Sequence, residues 1–273
     1  MRIGVAATAP FGADVLERLA ASHDVAFLLT RPDAARGRGR KLAPPPAKEV
    51  AERLGLVVLQ PERPADAELP AAERVVVCAY GLLIPEELLA RTLWLNVHPS
   101  LLPRWRGAAP VERAIMAGDA ETGVTIHETV TALDAGPIAA QRAFPIRDED
   151  DAGAVYARAA EVAADLLAEV LPSPSFVPQP EAGVTYADKI GPDDRRLDLD
   201  DPARAVRVVR ALSPHIGAWA ELHGRRVTVW RARVDDGRFV PDEVQPEGRR
   251  RMTYEAFLRG LRGAPEYDVK RDK

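Results

Sequence analysis

An amide, an imidazole and a carboxylate occur close together in residues 94–138, and side chains of these types can support acyl transfer. Apolar and polar residues alternate up to His98, which predicts a short buried strand. Because strand side chains two positions apart share one face, Asn96 and His98 emerge side by side at the carboxyl end of this strand, where open α/β sheets build their sites. A second predicted strand, residues 123–130, leads into a turn that carries Asp134.

Together these three side chains could promote the transfer of an acyl group. A carboxylate can orient and charge an imidazole, and an imidazole and an amide can both stabilise an oxyanion. No Ser or Cys nucleophile with a fitting signature is present, so we expect the acyl acceptor to be an amine of the substrate. The spacing alone fits equally well an Asn-x-His pair that caps a loop and an Asp that forms an ordinary turn. Residue types therefore leave a catalytic and a purely structural interpretation open.

Longer motifs surround these residues. Four lie in the central stretch: Asn96-Val97-His98, Ser100-Leu101-Leu102-Pro103, Arg104-Trp105-Arg106-Gly107-Ala108-Ala109-Pro110 and Leu133-Asp134-Ala135-Gly136. Three more lie outside it: Arg31-Pro32-Asp33 with Gly37-Arg38-Gly39-Arg40-Lys41-Leu42, Ala79-Tyr80-Gly81-Leu82-Leu83-Ile84-Pro85, and Val184-Thr185-Tyr186-Ala187-Asp188-Lys189-Ile190. With these motifs the sequence closely resembles the methionyl-tRNA formyltransferase family over residues 1 to about 233. The Asn, His, Ser-Leu-Leu-Pro and Asp core is common to folate-dependent formyltransferases, whereas Arg-Gly-Ala-Ala-Pro and the Gly-Arg-Gly loop point to the tRNA enzymes.

The resemblance implies a reaction and a role for each central residue. The formyl group of 10-formyltetrahydrofolate, a co-substrate, would pass to the α-amine of methionine on initiator tRNA, without a metal. Asn96 and protonated His98 would hold the tetrahedral oxyanion. Asp134 would keep His98 charged and help to move the proton of the amine through water.

The resemblance also implies two binding regions. The pterin of the folate would lie against the following residues: Ala79, Tyr80, Gly81, Leu82, Ile84, Ser100, Leu101, Leu102 and Pro103. The acceptor stem of the tRNA would contact a basic, glycine-rich loop through Arg36, Arg38, Arg40 and Lys41. Composition alone would favour a merely solvated loop, but the loop follows the second parallel strand and therefore rises at the edge of the sheet where the site lies.

Other functions remain alternatives at this stage. A different amine could be the acceptor, such as an amino-sugar nucleotide or glycinamide ribonucleotide; the latter family lacks the Arg-Gly-Ala-Ala-Pro run. A non-catalytic folate-binding or RNA-binding relative would not need the full set of Asn96, His98 and Asp134. Hydrolysis of the formyl donor is a further option, but such hydrolases usually carry an added regulatory domain.

The order of predicted elements indicates the fold that positions these residues. Strands and helices alternate, which predicts a doubly wound, mostly parallel α/β sheet, and the Val-rich run 74–79 is typical of a strand covered on both faces. The first turn, 6–12, lacks the Gly-x-Gly-x-x-Gly motif that lets a backbone approach a pyrophosphate, so we predict no dinucleotide site. His127, on the strand before Asp134, is interpreted as a partly exposed strand residue and not as a ligand.

The chain is predicted to contain two domains. Residues 1–175 would form the catalytic domain, the proline-rich residues 176–188 a stiff linker, and residues 189–273 a smaller, mainly β domain with a possible tRNA contact. The resemblance implies that this domain is a truncated barrel of the oligonucleotide-binding type, because the sequence is too short for some middle strands.

Composition restricts the cellular context. The net charge of −4 argues against non-specific nucleic-acid binding as the main function, although the C-terminal region is slightly basic and permits an RNA partner. The single cysteine, Cys78, excludes an internal disulfide framework and lies in a buried strand pattern. No apolar run is long enough to span a membrane, and no signal-peptide pattern is present. We therefore expect a cytoplasmic, monomeric protein.

Overall fold

The computed structural model describes residues 1–36 and 41–262, and these residues divide into two compact units. The first unit comprises Met1–Ala114, Asp119–Asp150 and Ala154–Lys189. The second comprises Ile115–Gly118, Asp151–Gly153 and residues 190–262. Within the described residues, no helix combines the length and the apolar character that a membrane span requires.

The first unit is built on a seven-stranded sheet with the strand order β10-β9-β7-β6-β1-β2-β5. The elements up to its end are β1 (Arg2–Ala7), α1 (Pro10–Ala20), β2 (Asp24–Leu29), β3 (Ala34–Arg36), β4 (Lys41–Ala43), α2 (Pro46–Arg53), β5 (Val58–Leu59), a 3₁₀ turn (Pro64–Asp66), β6 (Arg74–Cys78), α3 (Glu86–Leu89), β7 (Leu93–His98), β8 (Arg106–Gly107), α4 (Pro110–Ala117), β9 (Glu121–Glu128), β10 (Ile138–Pro145), α5 (Ala152–Val170) and β11 (Tyr186–Ala187). Strands β7, β6, β1, β2 and β5 are mutually parallel, which confirms the predicted doubly wound, mostly parallel sheet.

Two antiparallel strands extend this sheet on the side of the candidate site. Strand β9 pairs antiparallel with both β7 and β10. Strand β10 was not predicted, because its Ala-Ala-Gln-Arg-Ala sequence has neither the alternation nor the β-branched residues that indicate a strand. Its presence places β9 in the interior of the sheet, so β9 is buried on both faces from Thr122 to His127.

The first helix packs directly on the centre of the sheet. Gly12, in α1, approaches β6 so closely that a Cβ atom there would lie 2.3 Å from the carbonyl oxygen of Cys78. The backbone N–H of Ala9 also donates a hydrogen bond to the carbonyl of Ala79 at 3.3 Å. The first turn is thus held against β6 at the point where a nucleotide-binding sheet would accommodate a pyrophosphate.

The second unit contains an antiparallel sheet covered by helices. Its elements are a 3₁₀ turn (Asp193–Arg195), α6 (Pro202–Leu212), β12 (Ala218–Leu222), β13 (Arg225–Asp235), β14 (Arg238–Pro246), β15 (Met252–Thr253) and α7 (Tyr254–Arg262). The four strands pair in chain order, and α6 and α7 supply Val209 and Phe257 to the core beneath them. Asp236 and Gly237 both have positive φ, as the two-residue turn of the long β13–β14 hairpin requires. The predicted smaller, mainly β C-terminal fold is confirmed.

The proline-rich segment between the two predicted domains is hydrogen-bonded to the first unit. Val177 exchanges backbone hydrogen bonds with Ile138, at 2.8 and 2.9 Å. Further on, β11 pairs with β8, and the Thr185 hydroxyl accepts a hydrogen bond from the backbone N–H of Trp105 at 2.9 Å. Residues 177–187 therefore lie along the edge of the first unit as a bound strap, and we call them the strap below.

Helix α4 carries a partly buried carboxyl group whose contact with α5 can be tested. Glu112 accepts a hydrogen bond from the Tyr156 hydroxyl at 3.0 Å, and burial raises the pKa of Glu112 above its usual value. The folded protein therefore binds this proton more tightly than the unfolded chain, and the stability contributed by the protonated group is lost as pH rises above about 4.5.

We expect Glu112→Gln, which keeps the acceptor and removes the charge, to increase the free energy of unfolding at pH 7. The increase should shrink as the pH falls towards 4.5, where the carboxyl group becomes protonated in the unfolded chain as well. Urea unfolding at both pH values measures it, with the exposed Glu87→Gln as control. A variant less stable than the parent at pH 7 would contradict this account.

Candidate active site

The amide and the imidazole predicted to be catalytic lie at the carboxyl end of β7, an interior strand between β6 and β9. Asn96 and His98 share one face of β7, as the strand period requires. The turn that follows β9 carries Asp134 in a left-handed backbone conformation, with φ of 46°. Such a conformation is uncommon for a residue other than glycine, although Asp tolerates it better than most.

The structure brings all three predicted side chains together. Asn96 Nδ2 donates a hydrogen bond to Asp134 Oδ1 at 3.1 Å, and Asp134 Oδ2 lies 3.6 Å from His98 Nδ1. The backbone N–H of Gly107, in β8, donates to Asp134 Oδ2 at 2.8 Å. The Arg-Gly-Ala-Ala-Pro motif thus contributes a backbone donor to the carboxylate.

The carboxylate of Asp134 is held in its ionised form. Burial by itself raises the pKa of Asp134, but the polar groups around the carboxylate, among them the Gly107 N–H that donates to Oδ2, outweigh burial, and the pKa lies below its usual value. A carboxylate that accepts several hydrogen bonds in this way keeps its charge although it is little exposed.

The position of the proton on His98 is fixed by a backbone carbonyl. His98 is buried, and its Nε2 is 2.8 Å from the carbonyl oxygen of Trp105, so Nε2 carries a hydrogen and donates it. Burial lowers the pKa of His98, and the nearby Asp134 carboxylate opposes this effect only in part. At 3.6 Å the Nδ1–Oδ2 separation is longer than a hydrogen bond. The arrangement favours a neutral ring with a free Nδ1, in contrast to the protonated His98 that the resemblance implies.

A second histidine belongs to this cluster, and the prediction that it is partly exposed was wrong. His127 is only 2% exposed. Its Nδ1 donates to the carbonyl of Glu128 at 2.8 Å, which leaves Nε2 to accept a hydrogen bond from Asn96 Nδ2 at 3.0 Å. Asn96 therefore uses one amide hydrogen on His127 and the other on Asp134. The signal that could have revealed this contact is the register of β7 and β9, in which Asn96 and His127 are direct partners.

The loop after β7 is fixed by hydroxyl groups. The buried Ser100 donates from Oγ to the carbonyl of Arg104 at 2.7 Å. Thr125, on β9, donates to the carbonyl of Ser100 at 2.7 Å and accepts the backbone N–H of Leu102 at 3.1 Å. These bonds hold the loop in the path that brings the Trp105 carbonyl to His98.

The residues predicted to bind folate differ in how much surface they present. The buried ones are Tyr80, Ile84, Ser100 and Leu102; the half-buried ones are Leu82, Leu101 and Pro103; the exposed ones are Ala79 and Gly81. The unpredicted Leu83 is 79% exposed on the same turn. Apolar surface for a ligand ring is therefore offered by Leu82, Leu83, Leu101 and Pro103. The buried members of the set belong to the interior of the turn and the loop.

The predicted tRNA-binding loop is described only at its base. Strands β3 and β4 pair as an antiparallel ribbon in which Arg36 and Lys41 are register partners. Lys41 is exposed, while Arg38 and Arg40 lie outside the described residues. Among the described residues, no group of three or more His, Cys, Asp or Glu side chains is arranged to hold a metal ion.

Comparison with known families identifies the family of this chain. A family model described as formyl transferase matches residues 1–171, and one described as formyl transferase, C-terminal domain, matches residues 189–242. The chain belongs to the formyl transferase family. This chain is also 44% identical over 257 residues to the methionyl-tRNA formyltransferase of Ruegeria pomeroyi. The match covers 89% of this chain and 85% of the relative.

Solved structures share the fold of this formyltransferase at lower identity. The crystal structure of HypX from Aquifex aeolicus in complex with tetrahydrofolic acid has a TM-score of 0.69 at 20% identity and covers 96% of this chain. The match covers 48% of HypX, so this chain spans about half its length. Methionyl-tRNA formyltransferase from Clostridium thermocellum has a TM-score of 0.64 at 18% identity, with 90% of this chain and 98% of that chain covered.

Gly136 controls the position of the Asp134 turn and provides a test of the site geometry. A Cβ atom at Gly136 would lie 1.8 Å from the carbonyl oxygen of Glu128 on β9. We expect Gly136→Ala to push the turn away from β9 and to reduce kcat by about 100-fold, the order of loss that a misplacement of about 1 Å causes. Gly260→Ala, where a Cβ atom meets no neighbour within 4 Å, is the control. A folded Gly136→Ala protein with parental kcat would show that the turn need not approach β9.

Proposed function

We propose that this formyltransferase moves a formyl group from 10-formyltetrahydrofolate to the α-amine of methionyl initiator tRNA. The observation that carries the proposal is the convergence of Asn96, His98 and Asp134 at the end of β7, a set suited to acyl transfer to an amine. The high similarity to a protein named methionyl-tRNA formyltransferase supports this acceptor. The tetrahydrofolic acid bound by HypX, a protein of the same fold, supports the donor.

In this proposal His98 accepts and returns the proton of the reaction. The amine attacks the formyl carbon, a C–N bond forms, and the carbonyl oxygen becomes an oxyanion. The free Nδ1 of neutral His98 takes a proton from the amine. The resulting imidazolium donates from Nε2 to the Trp105 carbonyl and lies beside the negative charge of Asp134. The oxyanion then re-forms the carbonyl as the bond between the formyl carbon and the folate nitrogen breaks, and the proton passes from His98 to that nitrogen. Asp134 promotes this sequence because its negative charge stabilises the imidazolium.

Asn96 supplies the hydrogen bond that the oxyanion needs. Both hydrogens of its amide are engaged in the resting site, one with His127 and one with Asp134. The bond to neutral His127 is the weaker one, because a hydrogen bond to an ionised acceptor is about twice as strong as a neutral one. The developing oxyanion therefore replaces His127 as the acceptor, and the bond to Asp134 keeps the amide oriented.

The folate is proposed to lie on the apolar surface beside this cluster. Leu82, Leu101 and Pro103 are only half-buried, and Leu83 is largely exposed, so this surface can receive a planar ring without displacing the core. When bound, the folate supplies the formyl carbon and the nitrogen that leaves it. The role of the chain is to hold the ring against the end of β6 and to present the formyl carbon to Asn96 and His98.

Mass detection of formyl-methionine on initiator tRNA, after incubation with the purified protein and donor, tests the proposal directly. We expect Asn96→Ala, His98→Ala and Asp134→Asn each to reduce turnover by about 10²–10⁴-fold, with losses in combination far from additive because the groups act as a unit. The exposed His215→Ala is the control. A folded variant with parental turnover would remove that residue from the mechanism, and formylation of an amino-sugar nucleotide in place of the tRNA would refute the acceptor.

The basic loop is proposed to contact the acceptor stem of the tRNA. The ribbon at its base ends in the exposed Lys41, and the adjacent Leu42 is 73% exposed, as expected of a segment that meets a partner. A basic loop of this kind would bind phosphates and release counterions.

We expect joint replacement of Arg36, Arg38, Arg40 and Lys41 by Ala to raise KM for tRNA with little change in KM for the folate. The logarithmic salt slope should flatten by roughly 0.7–0.9 for each phosphate interaction that the replacement removes. Steady-state kinetics at several salt concentrations measures both quantities, with the exposed Arg91→Ala as control. Unchanged KM and slope would exclude the loop from tRNA binding.

A further inference from the structure

A pocket of about 490 Å³ opens in the first unit beside the Asp134 turn, and the mechanism above makes no use of it. Its volume falls in the range of about 300–1,000 Å³ that is typical of small-molecule sites. Ala135, the neighbour of Asp134, forms part of its wall, and three prolines form much of the rest. Its polar side chains are Arg106, Gln179, Glu181 and Tyr186.

Gln179, in the strap, connects this pocket to the catalytic turn. Its Nε2 donates hydrogen bonds to the carbonyls of Asp134 and Gly136, both at 2.8 Å. Its Oε1 accepts hydrogen bonds from Arg106 Nε at 3.1 Å and from Arg106 Nη2 at 2.6 Å. Gln179 therefore fixes the backbone of the turn and the guanidinium of Arg106 at the same time.

Arg106 keeps its positive charge available in this arrangement. The acceptor that orients its guanidinium is a neutral amide oxygen, which fixes the direction of the group without neutralising it. A guanidinium held in this way is suited to bind a phosphate, because its planar set of donors matches the geometry of phosphate oxygens.

Two other polar side chains, Tyr186 and Glu181, line the pocket together with Arg106. Tyr186 is the register partner of Arg106 in the β8–β11 pair, lines the same pocket and is 60% exposed. Glu181 is exposed and lines this pocket as well. An exposed ring can stack on a nucleobase, and a carboxylate can accept hydrogen bonds from ribose hydroxyls.

We propose that this pocket binds the terminal ribonucleotide of the formyl acceptor, with its phosphate on Arg106, its base on Tyr186 and its ribose hydroxyl on Glu181. The inference deepens the proposed function and rests on it.

The ribonucleotide could belong to the 3′ end of an RNA or to a sugar nucleotide. The RNA end fits better. There the aminoacyl group is esterified to the terminal ribose itself, so the amine to be formylated lies near the nucleoside. The pocket likewise lies near Asp134, where the formyl transfer is proposed to occur. In a sugar nucleotide, a diphosphate separates the base from the amine.

Kinetics of formyl transfer to methionyl-tRNA tests the contacts individually. We expect Arg106→Gln to raise KM for tRNA at least about tenfold and to lower the salt slope by about 0.7, the value for one phosphate contact on a single strand. Tyr186→Ala should raise KM by about 5- to 100-fold, and Tyr186→Phe should restore it, because the stacking ring is retained. KM for the folate should change less than about twofold in each variant.

Arg91→Gln, at an exposed position away from the pocket, is the control for the loss of one positive charge. Parental KM for tRNA in Arg106→Gln and Tyr186→Ala would overturn the proposal while leaving the proposed function intact. If instead an amino-sugar nucleotide is the acceptor and the same variants raise its KM, the pocket binds a sugar nucleotide. The proposal that it binds the 3′ end of an RNA is then overturned.

Direct binding of adenosine 5′-monophosphate to the full chain tests the pocket without turnover. Calorimetry should show that the parent protein binds adenosine 5′-monophosphate and that Arg106→Gln abolishes this binding. The parent protein should bind the 2′-deoxy analogue more weakly than the ribonucleotide. Glu181→Ala, which removes the hydrogen-bond acceptor, should bind the two nucleotides equally well. This pattern would support the pocket even if the parent protein failed to formylate tRNA, in which case the proposed function alone would fail. Binding of the monophosphate that is unchanged in Arg106→Gln and Tyr186→Ala would overturn the pocket assignment.

Discussion

The ionised carboxylate of Asp134 is the group on which the arrangement of the site depends. It accepts hydrogen bonds from the Asn96 amide and from the Gly107 N–H, and it faces the ring of His98. Removal from water opposes its charge, but the polar groups around the carboxylate, including the Gly107 N–H, keep the pKa of Asp134 below its usual value. The site therefore requires three separate chain segments, the ends of β7 and β8 and the turn after β9, to be held within hydrogen-bonding distance of one another.

The scaffold meets this requirement with backbone contacts more than with side-chain packing. The absence of a side chain at Gly136 lets the turn lie against β9, and Gln179 holds the turn from the other side through two backbone carbonyls. The strap that carries Gln179 is itself fixed by pairing with β8 and with Ile138. Asp134 can therefore retain its left-handed conformation, because the surrounding backbone determines the path of the turn.

The two histidines of the cluster have complementary roles because backbone carbonyls select opposite tautomers. His98 donates from Nε2 and keeps Nδ1 free beside Asp134, whereas His127 donates from Nδ1 and keeps Nε2 free to accept from Asn96. One ring can thus exchange a proton and the other orients an amide, although both are buried at neighbouring positions of one sheet. The carbonyls of Trp105 and Glu128 decide this difference, so the loop after β7 and the end of β9 are part of the site's chemistry.

The sequence by itself determined the parallel sheet, the family and the pairing of Asn96 with His98 on one strand face. These follow from local order: a period of two fixes which side chains share a face, and contiguous motifs such as Leu133-Asp134-Ala135-Gly136 can be read without knowing what they contact. Only the tertiary structure decided that His127 lies against Asn96 and that Gln179 meets Arg106, 73 residues away in the chain. The burial that lowers the pKa of His98 is likewise a result of the tertiary structure. Strand register, the path of the strap and burial depend on long-range packing, for which local periodicity carries no signal.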